Sequence, residues 1–161
     1  MAQHSFAPLD QFDRAILDIL QRDNRTPQRE IGEAVALSAP AVQRRIRRME
    51  EAGVIAANVA LVDPASVGRP ITILVELEVE SERPERIAAL KQRLSVAPEV
   101  QQCYYVTGEA DFVVVLTVAT MSEYEALTSS LLLADDNVKR FRTLVVMDRV
   151  KTRMAVPTLA E

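Results

Sequence analysis

The chain has 161 residues, enough for one domain or two small ones, and 48% of them are hydrophobic. One cysteine and one histidine exclude a disulfide framework, a transition-metal ligand set and a Cys/His nucleophile pair. No apolar run approaches the roughly 20 residues of a membrane span, and the N-terminal MAQHSFAPLD does not resemble a signal peptide. We therefore expect a cytoplasmic protein with no metal, no cofactor and no membrane partner.

The charge is unevenly distributed around a net value of −4. The residues up to Val62 contain eight arginines and eight acidic residues, whereas the remainder contains 11 basic and 15 acidic residues. A neutral first part with clustered arginines, joined to an acidic second part, indicates one DNA-facing module and one that stays clear of DNA.

Two helices are predicted before residue 37. Asp10 is a candidate N-cap for a helix to about Arg22, and Thr26 followed by Pro27 is a candidate start for a second helix to about Ala36. The apolar positions of each helix recur at helical spacing. They are Phe12, Ile16, Ile19 and Leu20 in the first, and Ile31, Ala34 and Val35 in the second.

The third predicted helix carries a cluster of four arginines. Ser38 can cap it, Pro40 falls in its first turn and Gly53 ends it, with Val42, Ile46 and Met49 in one buried stripe. Arg44, Arg47 and Arg48 point largely away from that stripe, and Arg45 lies at its flank. A solvated helix surface is the alternative explanation. The short connection to the preceding helix favours a helix-turn-helix, whose last helix enters the major groove.

The pattern changes after Gly53. Val54 to Val62 favours a short strand, and Asp63-Pro64 and Gly68-Arg69-Pro70 predict a linker. Four strands and two helices follow in βαββαβ order: strand Ile71–Glu80, a helix from Pro84, strand Val100–Thr107, strand Asp111–Ala119, a helix capped by Thr120 and Glu123, and strand Val138–Lys151. This order predicts a ferredoxin-like fold, so the chain is an α+β protein with a helix-turn-helix (winged-helix-like) domain at 1–55, a strand and hinge at 56–70 and a ferredoxin-like domain at 71–161.

A ferredoxin-like sheet packs both helices on one face and leaves the other face bare. Pairing with a second copy covers such a face economically, and a helix-turn-helix gains specificity by dimerising. We therefore expect at least a homodimer.

In its motifs the chain resembles the Lrp/AsnC, or feast/famine, family of prokaryotic transcriptional regulators. The resemblance covers nearly the whole length and is carried by LDQFDRAILDIL, REIGEAVALSAPAVQRRIRRMEEAGVI, VTGEADF and RTLVVMDRVK, in that order and spacing. It implies a helix-turn-helix joined by a hinge to a ligand-binding ferredoxin-like domain. It also implies dimers that assemble into tetramers, octamers or larger discs, and a response to an amino-acid effector.

By this resemblance the helix that contacts double-stranded DNA is Ala39 to Met49, with Ser38 and Ala39 at its start. We expect Gln43 and Arg47 at base edges, because an amide can address adenine and a guanidinium can address guanine. We expect Arg44, Arg45 and Arg48 at phosphates.

The resemblance also implies an effector site at the turn between two strands. Its predicted residues are Val106, Thr107, Gly108, Glu109, Ala110, Asp111 and Phe112, with Met121, Val145 and Met147 as wall positions. Gly108 lets a ligand approach the backbone, and Glu109 or Asp111 could hold an ammonium group. A plain hairpin turn is the alternative. Two positions depart from the family pattern: Ala110 stands where an aromatic residue is common, and Phe112 where a tyrosine is common. We therefore do not expect this protein to respond to leucine or asparagine on the strength of the resemblance.

The leading function is a cytoplasmic, nucleoid-associated transcriptional regulator tuned by a small effector. The alternatives are an architectural protein that organises DNA with weak sequence preference, and, far behind, an enzyme using Glu109 and Asp111 as paired carboxylates. Cys103 is expected to be a buried structural thiol, with a redox switch as the alternative.

Overall fold

The computed structural model describes residues 8–158, and it divides into two compact units. Of these residues, the first unit contains 8–60 together with 151–158, and the second is Leu61–Val150. The predicted division into 1–55, 56–70 and 71–161 did not include the return of the C-terminal segment to the first unit. Among the described residues, no helix is long and apolar enough to cross a membrane.

The described residues of the first unit form three helices around a small apolar core. They are α1 (Gln11–Arg22), α2 (Gln28–Val35) and α3 (Ala39–Glu51). Their buried side chains are those expected from helical spacing, joined by Leu17: Ile16, Leu17, Ile31, Val42 and Met49. Asp10 and Asp13 form a reciprocal capping box at the start of α1, each carboxylate accepting the other's backbone N–H, at 2.9 and 3.1 Å.

The turn between α2 and α3 is tight because Gly32 has no side chain. A Cβ at Gly32 would lie 2.4 Å from the carbonyl oxygen of Leu37, whose own N–H donates to the Gly32 carbonyl at 2.9 Å. The chain reverses through Ala36, which adopts a left-handed conformation (φ 55°). Three residues, Ala36 to Ser38, therefore separate the two helices of the helix-turn-helix.

Two local expectations in this unit were wrong, and a third is confirmed only in its position. Pro27 rather than Thr26 is the N-cap of α2, since the Thr26 hydroxyl donates backwards to the Asp23 carbonyl at 2.8 Å. Ser38 is the N-cap of α3, but within the described chain its hydroxyl accepts no capping hydrogen bond. Ala34 is exposed, because it lies off the stripe formed by Ile31 and Val35.

The C-terminal segment, residues 151–158, packs back against α1. The side-chain amide of Gln21 makes two hydrogen bonds to the backbone of Val156, donating to its carbonyl at 2.9 Å and accepting its N–H at 2.7 Å. Arg14 donates to the Thr158 carbonyl at 3.1 Å. These contacts make the C-terminal segment part of the helix-turn-helix unit.

The strand expected at Val54–Val62 is absent from the described structure. Val54 and Ile55 pack on the first core, but the following apolar side chains Val59, Leu61 and Val62 are mostly exposed. Because no strand of residues 8–158 lies beside this segment, its β-branched residues have no strand to pair with.

The second unit is a four-stranded antiparallel sheet in the order β2-β3-β1-β4, with two helices. Its elements are β1 (Ile71–Val79), α4 (Pro84–Val96), β2 (Val100–Tyr105), β3 (Phe112–Val118), α5 (Met121–Thr128, continued by a π-helical turn at Ser129–Leu133) and β4 (Val138–Val145). The predicted α+β class and ferredoxin-like βαββαβ topology are confirmed. β4 is shorter than expected, ending at Val145 rather than Lys151.

The helices and one sheet face enclose the second core. β1 contributes Ile73, Val75 and Leu77, and α4 contributes the predicted stripe of Ile87, Leu90 and Leu94. Among described residues, β3 is flanked by β2 and β1, as its continuous apolar run predicted. Thr120 caps α5 by accepting the Glu123 N–H at 3.1 Å, whereas the Glu123 carboxylate accepts the Ala119 N–H at 2.8 Å instead of completing a capping box.

Candidate nucleic-acid interface and ligand site

α3 presents a polar surface opposite its buried residues. Val42 and Met49 face the core, which leaves Gln43, Arg44 and Arg47 exposed. Ser38 is exposed just before the helix, and Ala39 is half-buried in its first turn. The predicted base-contacting residues Gln43 and Arg47 therefore lie on an accessible helix surface that could enter a DNA groove.

Two of the four arginines are paired with buried acid. Asp13 on α1 is fully buried, and it accepts hydrogen bonds from Arg45 at 2.8 Å and from Arg48 at 2.5 Å. Arg45 also donates to Asp10 at 2.7 Å and stacks over the Phe12 ring at 5.4 Å from its centroid. The hydrogen bonds from Arg45 to Asp13 and Asp10 raise the pKa of its guanidinium further above its ordinary value.

Arg45 therefore differs from its predicted role. Only 24% of its side chain is exposed, and its donors are directed to Asp10 and Asp13. A guanidinium held this way stabilises the packing of α1 against α3 and is poorly placed for a phosphate. Arg48 is different, because 53% of its side chain remains exposed although it contacts Asp13.

The other two arginines are exposed. Arg47 donates to Glu51 one turn later at 2.8 Å, and this hydrogen bond raises the pKa of the Arg47 guanidinium. Such a surface pair in a helix contributes about 0.3–0.5 kcal/mol, so a phosphate can compete for it. Within residues 8–158, Arg44 makes no ion pair.

The turn between β2 and β3 is held by backbone and carboxylate hydrogen bonds. The Val106 N–H donates to the Asp111 carbonyl, the Asp111 N–H to the Leu77 carbonyl and the Val79 N–H to the Asp111 carboxylate, each at 2.8 Å. Gly108 has a φ of 151°, which disfavours any residue with a side chain, and a Cβ there would meet no atom within 4 Å. The turn is thus anchored to the end of β1 while Gly108 leaves open space beside its backbone.

The predicted effector residues line two separate cavities. One, of about 290 Å³, is lined by Val106, Thr107, Gly108 and Asp111 together with Tyr105 and Glu82. The other, of about 270 Å³, is lined by Glu109 and Ala110 together with Glu76, Glu78, Arg140, Phe141 and Arg142. Glu109 and Asp111, which could each hold an ammonium, therefore line different cavities.

Four predicted effector residues line neither cavity. Phe112 is fully buried, because strand alternation turns its ring into the core, where it contacts Tyr105 with 4.9 Å between centroids. Phe112 therefore occupies a core position rather than the lining of either cavity. Met121 at the start of α5, Val145 at the end of β4 and Met147 beyond it have exposed side chains.

Sequence reasoning missed several residues that surround these sites. The sequence pattern did not predict that Asp13 pairs with the arginines of α3, although Asp10 and Asp13 are spaced to share one face of α1. Arg140 and Arg142 alternate along β4 as Glu78 and Glu76 alternate along β1, a complementary pattern that could have indicated their pairing. No sequence pattern indicated that Tyr105 and Glu82 would line the cavity at the turn between β2 and β3.

Cys103 is half-buried on β2, and burial raises the pKa of its thiol. A raised pKa lowers the thiolate fraction, which favours the structural thiol over the redox switch. Among residues 8–158, no group of three or more His, Cys, Asp or Glu side chains could hold a metal ion.

Two family models match the chain: the AsnC-type helix-turn-helix domain over residues 9–50 and the Lrp/AsnC ligand binding domain over residues 72–156. A relative from Sinorhizobium fredii, an uncharacterized HTH-type transcriptional regulator (y4tD), is 42% identical over 149 residues, covering 92% of this chain and 88% of the relative.

The structure is similar to that of an AsnC family transcriptional regulator from Agrobacterium tumefaciens, with a TM-score of 0.87 and 30% identity over 92% of this chain and 97% of the other. It is equally similar to a transcriptional regulator from Neisseria meningitidis in complex with L-Met, with a TM-score of 0.87 and 26% identity over 93% and 97% of the two chains. Such proteins are regulators rather than enzymes. Since both halves of the chain match in order, this protein belongs to the Lrp/AsnC family of DNA-binding transcriptional regulators with a ligand-binding domain.

Proposed function

We propose that the protein recognises specific double-stranded DNA through α3, using Gln43 and Arg47 at base edges and Arg44 and Arg48 at phosphates. The observation that carries this proposal is the exposed polar face of α3, opposite the buried Val42 and Met49. An amide and a guanidinium on that face can make bidentate hydrogen bonds to adenine and guanine. Arg45 is left out of the contact set because Asp10 and Asp13 bind it.

The small effector is an amino acid held at the turn Val106–Asp111. One carboxylate oxygen of Asp111 accepts the Val79 N–H, and its second oxygen, with Glu82 in the same cavity, can accept an ammonium group. The open backbone at Gly108 suits the approach of a ligand carboxylate. The L-Met complex of the Neisseria meningitidis regulator supports an amino acid as the class of ligand.

The working form is a homodimer, assembling further to a tetramer or octamer, in the cytoplasm and associated with the nucleoid. The outer face of the sheet supports the dimer. It carries a row of apolar side chains across three strands, Leu144, Leu74 and Val115, beside the ion pairs of Glu76 and Glu78 with arginines of β4. An apolar row bordered by charged pairs has the anatomy of an interface core with a polar rim.

Fluorescence anisotropy tests the proposal with a labelled duplex from immediately upstream of the protein's own gene. A scrambled duplex serves as competitor, at two salt concentrations, with and without a mixture of amino acids. We expect binding that withstands the scrambled competitor and shifts with the amino acids. Equal affinity for both duplexes would favour the architectural alternative, a protein that organises DNA with little sequence preference.

A further inference from the structure

Asp13 is the buried acid on which the DNA-facing helix is assembled. Its carboxylate accepts hydrogen bonds from Arg45, Arg48 and the backbone N–H of Asp10, at 2.8, 2.5 and 3.1 Å. It lies on α1, whereas both arginines lie on α3, more than 30 residues later in the chain. A buried carboxylate is costly without such partners, so Asp13 and the two guanidiniums constrain one another strongly.

Arg45 and Arg48 stand in different relations to this acid. Arg45 is mostly enclosed and also contacts Asp10 and the Phe12 ring. Its contacts therefore stabilise the packing of α1 against α3. Arg48 contacts Asp13 through Nη2, and about half of its side chain is exposed. A guanidinium carries further N–H donors in a rigid plane, which leaves Arg48 able to bind a phosphate while Asp13 holds it.

We propose that Asp13 is a positioning residue for DNA binding: it fixes the Arg48 guanidinium with its remaining donors toward solvent. A free arginine loses rotamer entropy when it is fully ordered. A side chain already held by a buried carboxylate loses less of that freedom at the phosphate, so its contact is stronger. This inference rests on the proposed approach of α3 to DNA.

Removal of Asp13 has two opposite possible effects on DNA affinity, and the sign of the change distinguishes them. An acid beside an arginine can also compete with the phosphate, in which case removing the acid would tighten DNA binding. Asp18→Asn is the matched control, because Asp18 lies on the same helix and pairs only along that helix, with Arg22, among the described residues. It removes the same charge without touching α3.

The experiment is a double-mutant cycle of Asp13→Asn and Arg48→Ala, with affinity for a labelled random-sequence duplex measured by anisotropy. Non-specific DNA suffices because the effect concerns phosphate contacts. We expect Asp13→Asn to raise Kd about five- to thirtyfold, the range of one to two kcal/mol, and Asp18→Asn to leave Kd unchanged. In the Arg48→Ala background, Asp13→Asn should change Kd by less than about twofold, since coupled residues are not additive.

Equal losses in both backgrounds would overturn the proposal, because a general loss of packing does not depend on Arg48. Tighter or unchanged binding by Asp13→Asn would overturn it as well. All measurements are made below the melting temperature of each variant, monitored by circular dichroism.

Arg48→Lys provides a variant that leaves Asp13 in place if Asp13→Asn does not fold. Lysine can still pair with Asp13 but lacks the planar set of additional donors, so we expect Kd to rise; an unchanged Kd would overturn the positioning role. Arg44→Ala separates this inference from the proposed DNA contacts. If Arg44→Ala weakens binding while the cycle is additive, α3 contacts DNA and only the role of Asp13 is wrong.

Discussion

Gly32 illustrates how a single missing side chain shapes the DNA-binding unit. It lies in the interior of α2, where glycine is normally unfavourable by roughly 1 kcal/mol relative to alanine. Its Cα, however, faces the backbone carbonyl of Leu37 in the turn before α3. The turn of the helix-turn-helix can therefore close only because no Cβ occupies that position.

Gly32→Ala should destabilise the protein, reversing the usual sign of glycine-to-alanine in a helix. The new methyl would lie 2.4 Å from the Leu37 carbonyl oxygen, and the backbone must shift to relieve this contact. We expect a loss of about 1–3 kcal/mol in the free energy of unfolding, measured by urea denaturation. Glu33→Ala, at an exposed position of the same helix, should change stability little, and a stabilised Gly32→Ala would contradict the steric argument.

Gly108 has a different role, because a Cβ at this position would meet no atom within 4 Å and would point into open space. Gly108→Val should abolish the response to amino acids and leave effector-free DNA binding intact, since valine is strained at a φ of 151° and would obstruct the turn. Anisotropy with and without the amino-acid mixture measures both properties. Ala88→Val on the exposed side of α4 is the control, and loss of both properties by Gly108→Val would indicate misfolding rather than a blocked site.

At the scale of elements, α1 connects the other parts of the first unit. Its N-terminal end holds α3 through Asp10 and Asp13, and its C-terminal half holds the segment around Val156 through Gln21. Both contacts join parts of the chain that are distant in sequence. α1 is therefore a structural support for α3 and for the returning C-terminal segment.

Gln21→Ala should release the segment around Val156 from α1. The two backbone hydrogen bonds at 2.7 and 2.9 Å would be lost at a solvent-exposed site, and each such bond contributes about 0.5–1.5 kcal/mol. Hydrogen exchange should show faster exchange of the Val156 amide. The exposed Gln11→Ala at the other end of α1 is the control, and unchanged exchange at Val156 would show that the segment is held by other contacts.

β4 is held to β1 by charge as well as by its ladder, because Arg140 pairs with Glu78 and Arg142 with Glu76 across the outer face. The hydrogen bond from Arg140 holds the pKa of Glu78 below its ordinary value of 4.5. A carboxyl with a lowered folded pKa contributes stability that is fully present above its unfolded pKa. That contribution is lost as pH falls through the folded value.

Glu78→Gln should therefore flatten the acid side of the stability profile. Wild type should lose melting temperature between about pH 5 and pH 3 more steeply than Glu78→Gln, whereas the difference should be constant near neutral pH. Differential scanning calorimetry over that range measures it. Glu125→Gln, at an exposed position of α5, should retain the wild-type slope, and parallel profiles for Glu78→Gln and wild type would remove this pair from the acid response.

At the scale of the whole molecule, the chain passes between its two units twice, once after Ala60 and again before Lys151. The DNA-binding unit thus contains residues 151–158 as well as 8–60. The ligand-binding unit presents a sheet face with an apolar row and ordered ion pairs. The polypeptide backbone therefore connects the two units covalently at both ends of Leu61–Val150.

Leu74→Arg should shift the protein toward monomer. Leu74 lies in the middle of the apolar row on the outer face, so a charge there would be buried without a partner in a dimer that uses this face. Sedimentation velocity measures the change in mass. Ala89→Arg, on the exposed side of α4, is the control, and an unchanged mass of the Leu74→Arg protein would assign the dimer to another surface.

Periodicity in the sequence determined the three helices of the first unit and the βαββαβ order of the second. The spacing of Val42 and Met49 predicts α3, and the alternation of Ile73, Val75 and Leu77 predicts β1, because each pattern reflects one buried face. The arginine cluster and the glycine turn were also visible as candidate sites. These are local properties of the chain.

The tertiary structure decided which side chains are bound by other residues and which are buried in a core. Arg45, which was predicted to contact a DNA phosphate, is bound by Asp13. Phe112, which was predicted to lie in the effector site, is buried by strand alternation. The predicted strand at Val54–Val62 did not form because a strand requires a partner that periodicity cannot supply. Pairing, burial and hydrogen bonding depend on residues distant in the chain, so only the folded molecule specifies them.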